Sequence, residues 1–296
     1  MAVLVYDIEH RTRYVHAGRV TTSQHVACLE PRALPYQRLL AHELRIEPDA
    51  ASTSRRIDYF GNVLHQITML RPYAELSVLS LGRVLVTPRL APTATDEPVP
   101  WDEARTQLAL DDTRADPAIV EFSYASPYVA ISDALARFAR PSFPPGRPLL
   151  AAALDLTRRI HREFTFLPNA TTIATPVTRV LEDRHGVCQD FAHLQIGCLR
   201  SLGLAARYVS GYLLTDPPPG QARLVGADAS HAWVAVWLPT SGEWLAIDPT
   251  NDQWVGDRYV TVAWGRDYGD VPPVKGVIFT EATKSTLKVS VDVAPV

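Results

Sequence analysis

The chain of 296 residues has little cysteine, little net charge and no long apolar run. Its three cysteines are too few, and odd in number, for a disulfide framework. A formal net charge of −3 offers no basic surface for nucleic acid or for an anionic membrane. No apolar run reaches the ~18 residues that a membrane span requires. These absences argue against disulfide-rich, nucleic-acid-binding and membrane-spanning proteins.

The first residues also lack the features of a signal peptide. Acidic residues follow Met1 within a few positions, and no basic stretch precedes an apolar one. We therefore expect a cytoplasmic protein. Because 47% of the residues are hydrophobic and 21% are charged, we expect a well-packed core in one large domain or two of ordinary size.

Turn-forming residues divide the first 90 positions into short apolar runs that are typical of β-strands. The Gly61-Asn62 step between two such runs is a hairpin signal. We predict an antiparallel, sandwich-like β domain over residues 1–90. Its predicted strands cover residues 3–8, 13–16, 26–29, 39–46, 63–70 and 76–86. Its histidines show no metal-ligand spacing, so we expect surface or internally satisfied side chains at His10, His16, His25, His42 and His65.

Proline-rich sequence follows this domain and indicates a linker and connecting segment over residues 91–130. We assign residues 131–296 to an α+β core in which helices precede an antiparallel sheet. Helices are predicted at residues 132–140 and 148–164, and a third begins at Cys188 and ends before Gly203. Strands are predicted at residues 206–215, 231–238 and 243–248, with a loop at 216–220.

The helix predicted to begin at Cys188 places a thiol in an activating position. Its apolar stripe is formed by Val187, Phe191, Leu194 and Cys198. Cys188 lies about 100° away from Val187, in the first turn, where free N–H groups and the positive end of the helix dipole lie. Such a position lowers the pKa of a thiol and makes it a nucleophile. We predict that Cys188 is that nucleophile and that Cys28 and Cys198 are core residues.

A base and an orienting group follow in the predicted hairpin. If Leu238 pairs with Glu243, Asp248 lies on the same face as His231 and close to it as a diagonal neighbour. We therefore predict that His231 is the base for Cys188 and that Asp248 fixes its tautomer.

Other residues near these segments are candidates for the oxyanion site and the substrate cleft. The backbone N–H of Cys188 is one predicted oxyanion donor, and Gln189 and Asn169 are candidates for the second. Trp233 is a candidate wall of the cleft, with sheet packing as the alternative. Arg266, Asp267 and Tyr268 are cleft candidates as well, with an ion-paired turn as the alternative.

A zinc site at His185, Cys188 and His193 is the competing chemistry. Cys188 and His193 would lie ~140° apart around a helix, so their side chains diverge. We therefore predict no metal and no cofactor at this position.

Several segments resemble bacterial transglutaminase-like proteins of the cysteine-protease superfamily. The resemblance is carried by the turn at Cys188, by residues 202–212, 228–233, 248–251 and 265–276, and by Asp58-Tyr59-Phe60-Gly61-Asn62 in the β domain. It implies a papain-like core in which Cys188, His231 and Asp248 are the catalytic residues. Gln189 stands where animal transglutaminases have a tryptophan that serves the oxyanion, which argues against protein cross-linking.

The sequence therefore predicts an enzyme that acts on peptide or protein amides through a thioester intermediate. Hydrolysis, as in a peptidase or amidase, is favoured over transfer to an amine. A transglutaminase and a non-catalytic peptide-binding module on the same fold stay open as alternatives. We expect no nucleic-acid or membrane partner, and the substrate and the oligomeric state are open.

Overall fold

The computed structural model describes residues 3–93, 97–108, 116–215, 230–281 and 283–296. The predicted loop at 216–220 and the start of the 228–233 segment lie outside the described residues, as does part of the predicted connecting segment. No helix among the described residues is long and apolar enough to cross a bilayer.

Helices and strands alternate along the core, whereas the first part of the chain is strand only. The strands are β1 Leu4–Ala27, β2 Gln37–Glu47, β3 Ser52–Ile57, β4 Val63–Met69, β5 Tyr73–Val86, β6 Thr165–Phe166, β7 His185–Gly186, β8 Ala206–Leu213, β9 His231–Leu238, β10 Glu243–Asp248, β11 Gln253–Trp254, β12 Tyr259–Gly265, β13 Val274–Thr280 and β14 Ser285–Pro295. The helices are α1 Trp101–Gln107, α2 Pro117–Val120, α3 Asp133–Ala139, α4 Leu149–Glu163, α5 Val177–Asp183 and α6 Cys188–Ser201.

The N-terminal sheet is antiparallel, as the sequence predicts. It is curled and organised around one long strand. β1 runs for 24 residues, so the separate strands predicted at 3–8 and 13–16, and the first half of the one at 26–29, are pieces of it. Register shifts lie between Val15 and Val20 against β5, and between Val20 and Thr22 against β13. Bulges of this kind bend a strand without ending it. The turn predicted after residue 16 is therefore a bend in β1, and the turn predicted at residues 9–12 is wrong too, because these residues pair regularly with β5 and β14.

The C-terminal strands belong to the same sheet. β13 and β14 pair with one edge of β1, while β5 and β4 pair with its other edge. The sequence analysis assigns residues 131–296, and with them β13 and β14, to the core. In the structure these two strands extend the N-terminal sheet instead. Such pairing joins residues more than 250 positions apart, as between Tyr6 and Pro295, and no local pattern signals it.

The core consists of helices packed on a five-stranded antiparallel sheet with the order β11-β10-β9-β8-β12. The predicted helices at 132–140 and 148–164 correspond to α3 and α4, and the side chain of Ser132 caps α3 by accepting from the N–H of Leu135. Gly203 follows α6 with φ of +80°, the left-handed conformation that glycine adopts at helix ends. Local signals were sufficient for these elements.

Helix α6 is central to the core. It is buried on nearly all sides, beyond the single stripe that the sequence predicts, as is typical of a helix enclosed by other elements. It packs against α3, α5, β8 and β9. Buried side chains of the N-terminal sheet, including Tyr6 and Val84, continue the same apolar cluster. The two parts of the chain therefore share one hydrophobic core.

Candidate active site

The start of helix α6 is fixed by a carboxylate. Asp190 accepts hydrogen bonds from the N–H of Val187 at 2.8 Å and from the hydroxyl of Thr171 at 2.5 Å. An acid at this position that accepts from the residue before the helix satisfies a free amide and suits the helix dipole. A Cβ atom at Gly186 would lie 2.8 Å from the side chain of Asp190, so this turn requires glycine. These contacts place Cys188 as the first residue of the helix.

Cys188 differs from the other two cysteines in its surroundings, although all three thiols are free. Cys188 is partly exposed, and its own N–H lies among those that find no acceptor within the helix. Cys28 and Cys198 are buried, as predicted. Burial raises the pKa of Cys28 to about 12 and raises that of Cys198 as well, so neither thiol ionises readily.

His231 and Asp248 meet across the hairpin formed by β9 and β10. Leu238 pairs with Glu243, which is the register that the sequence analysis assumes. The Nε2 atom of His231 lies 2.7 Å from Oδ2 of Asp248. The predicted contact between these two side chains is therefore present.

The same imidazole lies close enough to Cys188 for the thiol to influence its pKa. Because Nε2 is engaged by Asp248, the nitrogen left for the thiol is Nδ1. Burial alone would lower the pKa of His231, but its hydrogen bond to Asp248 and its interaction with Cys188, with the negative charges of both groups, outweigh burial and raise it to about 10. Burial opposes the charge of Asp248 too, yet His231 and neighbouring donors keep the pKa of its carboxyl below the ordinary value. The raised pKa of His231 and the lowered pKa of Asp248 thus favour a protonated imidazole paired with an ionised carboxylate.

Two further side chains, which the sequence does not predict as site residues, hold the carboxylate of Asp248. The hydroxyl of Tyr259 and the amide Nδ2 of Asn251 each donate to Oδ2 at 2.7 Å. The N–H of Thr250 donates to Oδ1 at 2.8 Å. Asn251 lies in the same turn as Asp248, where a polar side chain is a usable signal. Tyr259 comes from β12, and nothing local to Asp248 indicates it.

Comparisons with known proteins identify the family and the fold of this chain. A family model described as the bacterial transglutaminase-like N-terminal region matches residues 6–85, and one described as the transglutaminase-like superfamily matches residues 137–249. An uncharacterised protein of Mycobacterium tuberculosis strain H37Rv is 45% identical over 295 residues, covering 98% of this chain and 92% of the relative. An uncharacterised protein of Mycobacterium leprae is 33% identical over 273 residues, covering 91% of each.

The chain belongs to the transglutaminase-like superfamily. A solved structure of a candidate cysteine protease from Cytophaga hutchinsonii has a TM-score of 0.77 and 19% identity, covering all of this chain and 91% of the other. At that identity the likeness shows a shared fold. In this chain Cys188 begins α6, and His231 and Asp248 meet in the hairpin of β9 and β10.

The predicted oxyanion and wall candidates of this transglutaminase-like core lie in different environments. Gln189 is half-buried in the first turn of α6, next to Cys188. Asn169 is exposed, with φ of +64° in a turn after β6. Trp233 is fully buried against Tyr259, with its ring centroid 6.1 Å from that of His231. Trp233 therefore packs behind the imidazole, as in the sheet-packing alternative, and forms no exposed wall.

The residues predicted at 266–268 form the ion-paired turn that was the alternative to a cleft. The guanidinium of Arg266 is bound by both carboxylate oxygens of Asp270. Asp267 is buried and accepts from the N–H groups of Gly269 and Tyr128, so its carboxylate has a local structural role. Tyr268 donates its N–H to Nε2 of His193 and packs against the core.

The competing zinc set does not form among the described residues. His193 is buried, and burial lowers its pKa to about 4, so its neutral ring accepts the N–H of Tyr268. His185 is engaged by the carbonyl of Asp183. Their ligand atoms and the thiol of Cys188 do not come together as a group within the described ranges.

Proposed function

We propose that this protein is a cysteine-dependent acyl-transfer enzyme that hydrolyses amide bonds of peptides or proteins. One observation carries the proposal: the imidazole of His231 is bound by Asp248 at 2.7 Å and lies close enough to Cys188 to interact with its thiol. This arrangement activates a nucleophile, and a module that only binds peptides does not need it. The transglutaminase-like fold, shared with a candidate cysteine protease, supports the same class.

The first half of the proposed reaction forms a thioester. The thiolate of Cys188 attacks the amide carbonyl carbon, and the π electron pair moves onto the oxygen. The N–H of Cys188, at the start of α6, donates to that oxyanion. The imidazolium of His231 then gives its proton to the departing nitrogen as the C–N bond breaks. Free amine and an acyl group on the sulfur of Cys188 result.

The second half releases the acyl group to water. His231, now neutral, takes a proton from water as its oxygen attacks the thioester carbon. The C–S bond breaks, a carboxylic acid leaves, and the thiolate and the imidazolium are restored. Asp248 keeps the ring oriented throughout, because its carboxylate is held by Tyr259 and Asn251. Gln189 and Asn169 stay candidates for a second oxyanion donor. The cytoplasmic location that the sequence predicts stays a prediction.

Incubation with a pooled peptide library, read by mass spectrometry, tests this function. We expect cleaved peptides from the wild-type chain and none from a Cys188→Ala variant. Cys198→Ala is the matched control, because this thiol lies on the same helix but is buried, and we expect it to cleave. Far-ultraviolet circular dichroism of each variant establishes that the fold persists.

The same experiment distinguishes the alternatives. A primary amine added to the mixture would appear in the products of a transglutaminase as an adduct at the acyl group. Peptides that are retained unchanged by the folded wild-type chain would contradict an enzymatic function and indicate a binding module. Cleavage that survives in Cys188→Ala would show that another residue is the nucleophile.

A further inference from the structure

A second group of chemically active side chains lies in the N-terminal sheet. Glu30 follows β1, His42 is on β2 and His65 is on β4. One ligand atom from each residue lies within 4.8 Å of those from the other two. The sequence spacing of the histidines gives no sign of this group, because pairing between distant strands brings His42 and His65 to Glu30. The curl of the sheet brings β2 and β4 together although two strands separate them in the ladder order.

The three side chains are largely shielded from solvent. The exposed fractions are 9% for the side chain of Glu30, 8% for His42 and 14% for His65. Nε2 of His65 lies 2.9 Å from Oε2 of Glu30, and Nδ1 of His42 lies 3.6 Å from the same oxygen. Two imidazole nitrogens therefore point toward one carboxylate oxygen. A shielded carboxylate such as Glu30 is stable only when it is paired with positive charge or coordinates a metal.

The tautomer of His42 follows from its other hydrogen bond. The hydroxyl of Ser80 donates to the carbonyl of Leu29, so its oxygen is left to accept from Nε2 of His42 at 2.9 Å. The proton of a neutral His42 is then on Nε2, and Nδ1 presents a lone pair toward Glu30. Metal-binding histidines are commonly held in this way, with the far N–H bound to an oxygen of the protein.

We propose that Glu30, His42 and His65 bind one Zn²⁺ ion through Oε2, Nδ1 and Nε2 respectively. Two imidazoles and one carboxylate are a ligand set that Zn²⁺ accepts, with a fourth position for water. Bonds of ~2.0–2.1 Å in a tetrahedron separate ligand atoms by ~3.3 Å, and the observed 2.9 and 3.6 Å lie on either side of that value. Ca²⁺ and Mg²⁺ prefer ligand sets of oxygen alone.

Arg55 is the competing cation. Its guanidinium donates to Oε1 of Glu30 at 2.8 Å and to Oε2 at 3.1 Å, and its side chain is 54% exposed. A metal at Oε2 leaves the shorter bond, to Oε1, in place. Arg55 then acts as the outer partner that orients the carboxylate. Without a metal the same group is an ion pair of Glu30 with Arg55 and His65, and this is the alternative that the experiment must exclude.

The position of Glu30 gives this ion a structural consequence. The same loop between β1 and β2 contains Arg32, whose N–H donates to the carbonyl of Thr261 on β12 and whose guanidinium lies 3.4 Å from the ring centroid of Trp264. A metal at Glu30 therefore ties β2 and β4 to the loop that joins the sheet to the core. We expect Zn²⁺ to stabilise the whole chain.

Calorimetric titration of the full chain with Zn²⁺ tests the proposal. A Cys188→Ala background is used throughout, so that the thiol of the candidate active site cannot bind the metal. We expect one Zn²⁺ per chain and an affinity that falls by ~100-fold or more in His42→Gln and in His65→Gln. Ser80→Ala, which removes only the partner of His42, should weaken binding by roughly 10-fold. Glu30→Gln should weaken it as well.

The matched control is His25→Gln. His25 is a buried histidine of the same sheet that also contacts a serine hydroxyl, Ser23, but it lies outside the group. This variant should keep the affinity of the background. In thermal melts, a hundredfold excess of Zn²⁺ over its Kd should raise the Tm of the background by roughly 5–10 °C, and that of the His42→Gln/His65→Gln double variant by much less.

A spectrum of the Co²⁺ complex tests the ligands without any variant of the group. We expect visible d–d bands of a tetrahedral site with nitrogen and oxygen ligands. A spectrum of octahedral, hydrated Co²⁺, or a Zn²⁺ affinity that is unchanged in the folded double variant, would overturn the proposal. An equal loss of affinity in His25→Gln would overturn it too. In each of these cases Arg55, Glu30 and His65 form only an ion pair.

Discussion

Two pairs of histidine and carboxylate in this chain look alike but have different neighbours. His231 meets Asp248 at 2.7 Å, and His65 meets Glu30 at 2.9 Å, each through Nε2. The other partners of Asp248 are neutral donors, whereas Glu30 is also bound by the guanidinium of Arg55.

This difference decides which group is the cation. At Asp248 the imidazole itself must supply the positive charge, and its second nitrogen faces a thiol. At Glu30 an arginine already supplies positive charge, and the third member is another imidazole, His42. A histidine–carboxylate pair therefore activates the thiol of Cys188 at Asp248, whereas at Glu30 it provides ligand atoms together with His42. The neighbours of the pair indicate the chemistry, and the pair alone does not.

Asp248→Asn removes the negative charge from one of the two pairs, and we expect it to have the largest effect. An asparagine amide can donate to Nε2 of His231, and the proton of the neutral imidazole is then on Nδ1. A protonated Nδ1 cannot accept a proton from the thiol. We expect kcat for a peptide selected from the library to fall by roughly 10⁴-fold. Asp252→Asn, on an exposed residue of the same turn, is the control and should keep near-normal rates. Equal losses in both would mean that the turn, and not the carboxylate, is what matters.

The pH dependence of stability tests whether His231 is the cation of its pair, because only a raised pKa makes it a cation at neutral pH. Folded His231 has a pKa of about 10 against ~6.5 when unfolded. The folded state therefore binds the extra proton between these values, so the contribution to stability is complete below ~6.5 and is lost as pH rises through about 10. The expected slope is at most about 1.4 kcal/mol per pH unit.

The measurement is the free energy of urea unfolding of the wild type minus that of His231→Gln, from pH 6 to 10.5. The difference should shrink as pH rises. A difference that grows instead would show that the imidazole is neutral in the folded chain. Cys188→Ala in the same series isolates the share of the shift that comes from the thiol.

A smaller effect is expected where a neutral donor is removed from Asp248. Tyr259→Phe deletes one hydrogen bond to a buried carboxylate, a type of bond that contributes about 1.5–3 kcal/mol. We expect kcat to fall by roughly 10-fold with little change in KM, because the ring of His231 is held less firmly. Tyr6→Phe removes a hydroxyl that donates to the carbonyl of Asp257 elsewhere. A loss of kcat in Tyr6→Phe as large as in Tyr259→Phe would refute the positioning role.

The smallest effect is expected at the start of helix α6. The candidate active site lies at a helix start, whereas the Glu30 cluster lies in a sheet. Asp190→Ala removes the acceptor of the Val187 N–H and of the Thr171 hydroxyl. We expect a loss of about 1–2 kcal/mol in the free energy of unfolding, typical of a lost helix cap. Thr171→Val removes only one of the two bonds and should cost less. Chemical unfolding of both variants measures this, and an Asp190→Ala variant as stable as the wild type would contradict it.

Local signals in the sequence were sufficient for much of the core. Helix α6, its glycine end and the hairpin register follow from periodicity and turn residues, so the meeting of His231 with Asp248 could be predicted. The long strand β1 could not, because bulges in a continuous strand carry the same polar residues as turns. Tyr259 and the Glu30 cluster were missed for a related reason. Their partners are distant in sequence, and only the closed sheets bring them together.

The pairing of β13 and β14 with β1 also sets an order on synthesis. β1 is translated before the core, yet two of its partners, β13 and β14, are translated after it. One edge of the longest strand therefore waits, unpaired by its native neighbours, until the whole core has been made. A nascent or truncated chain that stops before residue 274 lacks both strands that cover this edge, and open strand edges are where chains associate wrongly.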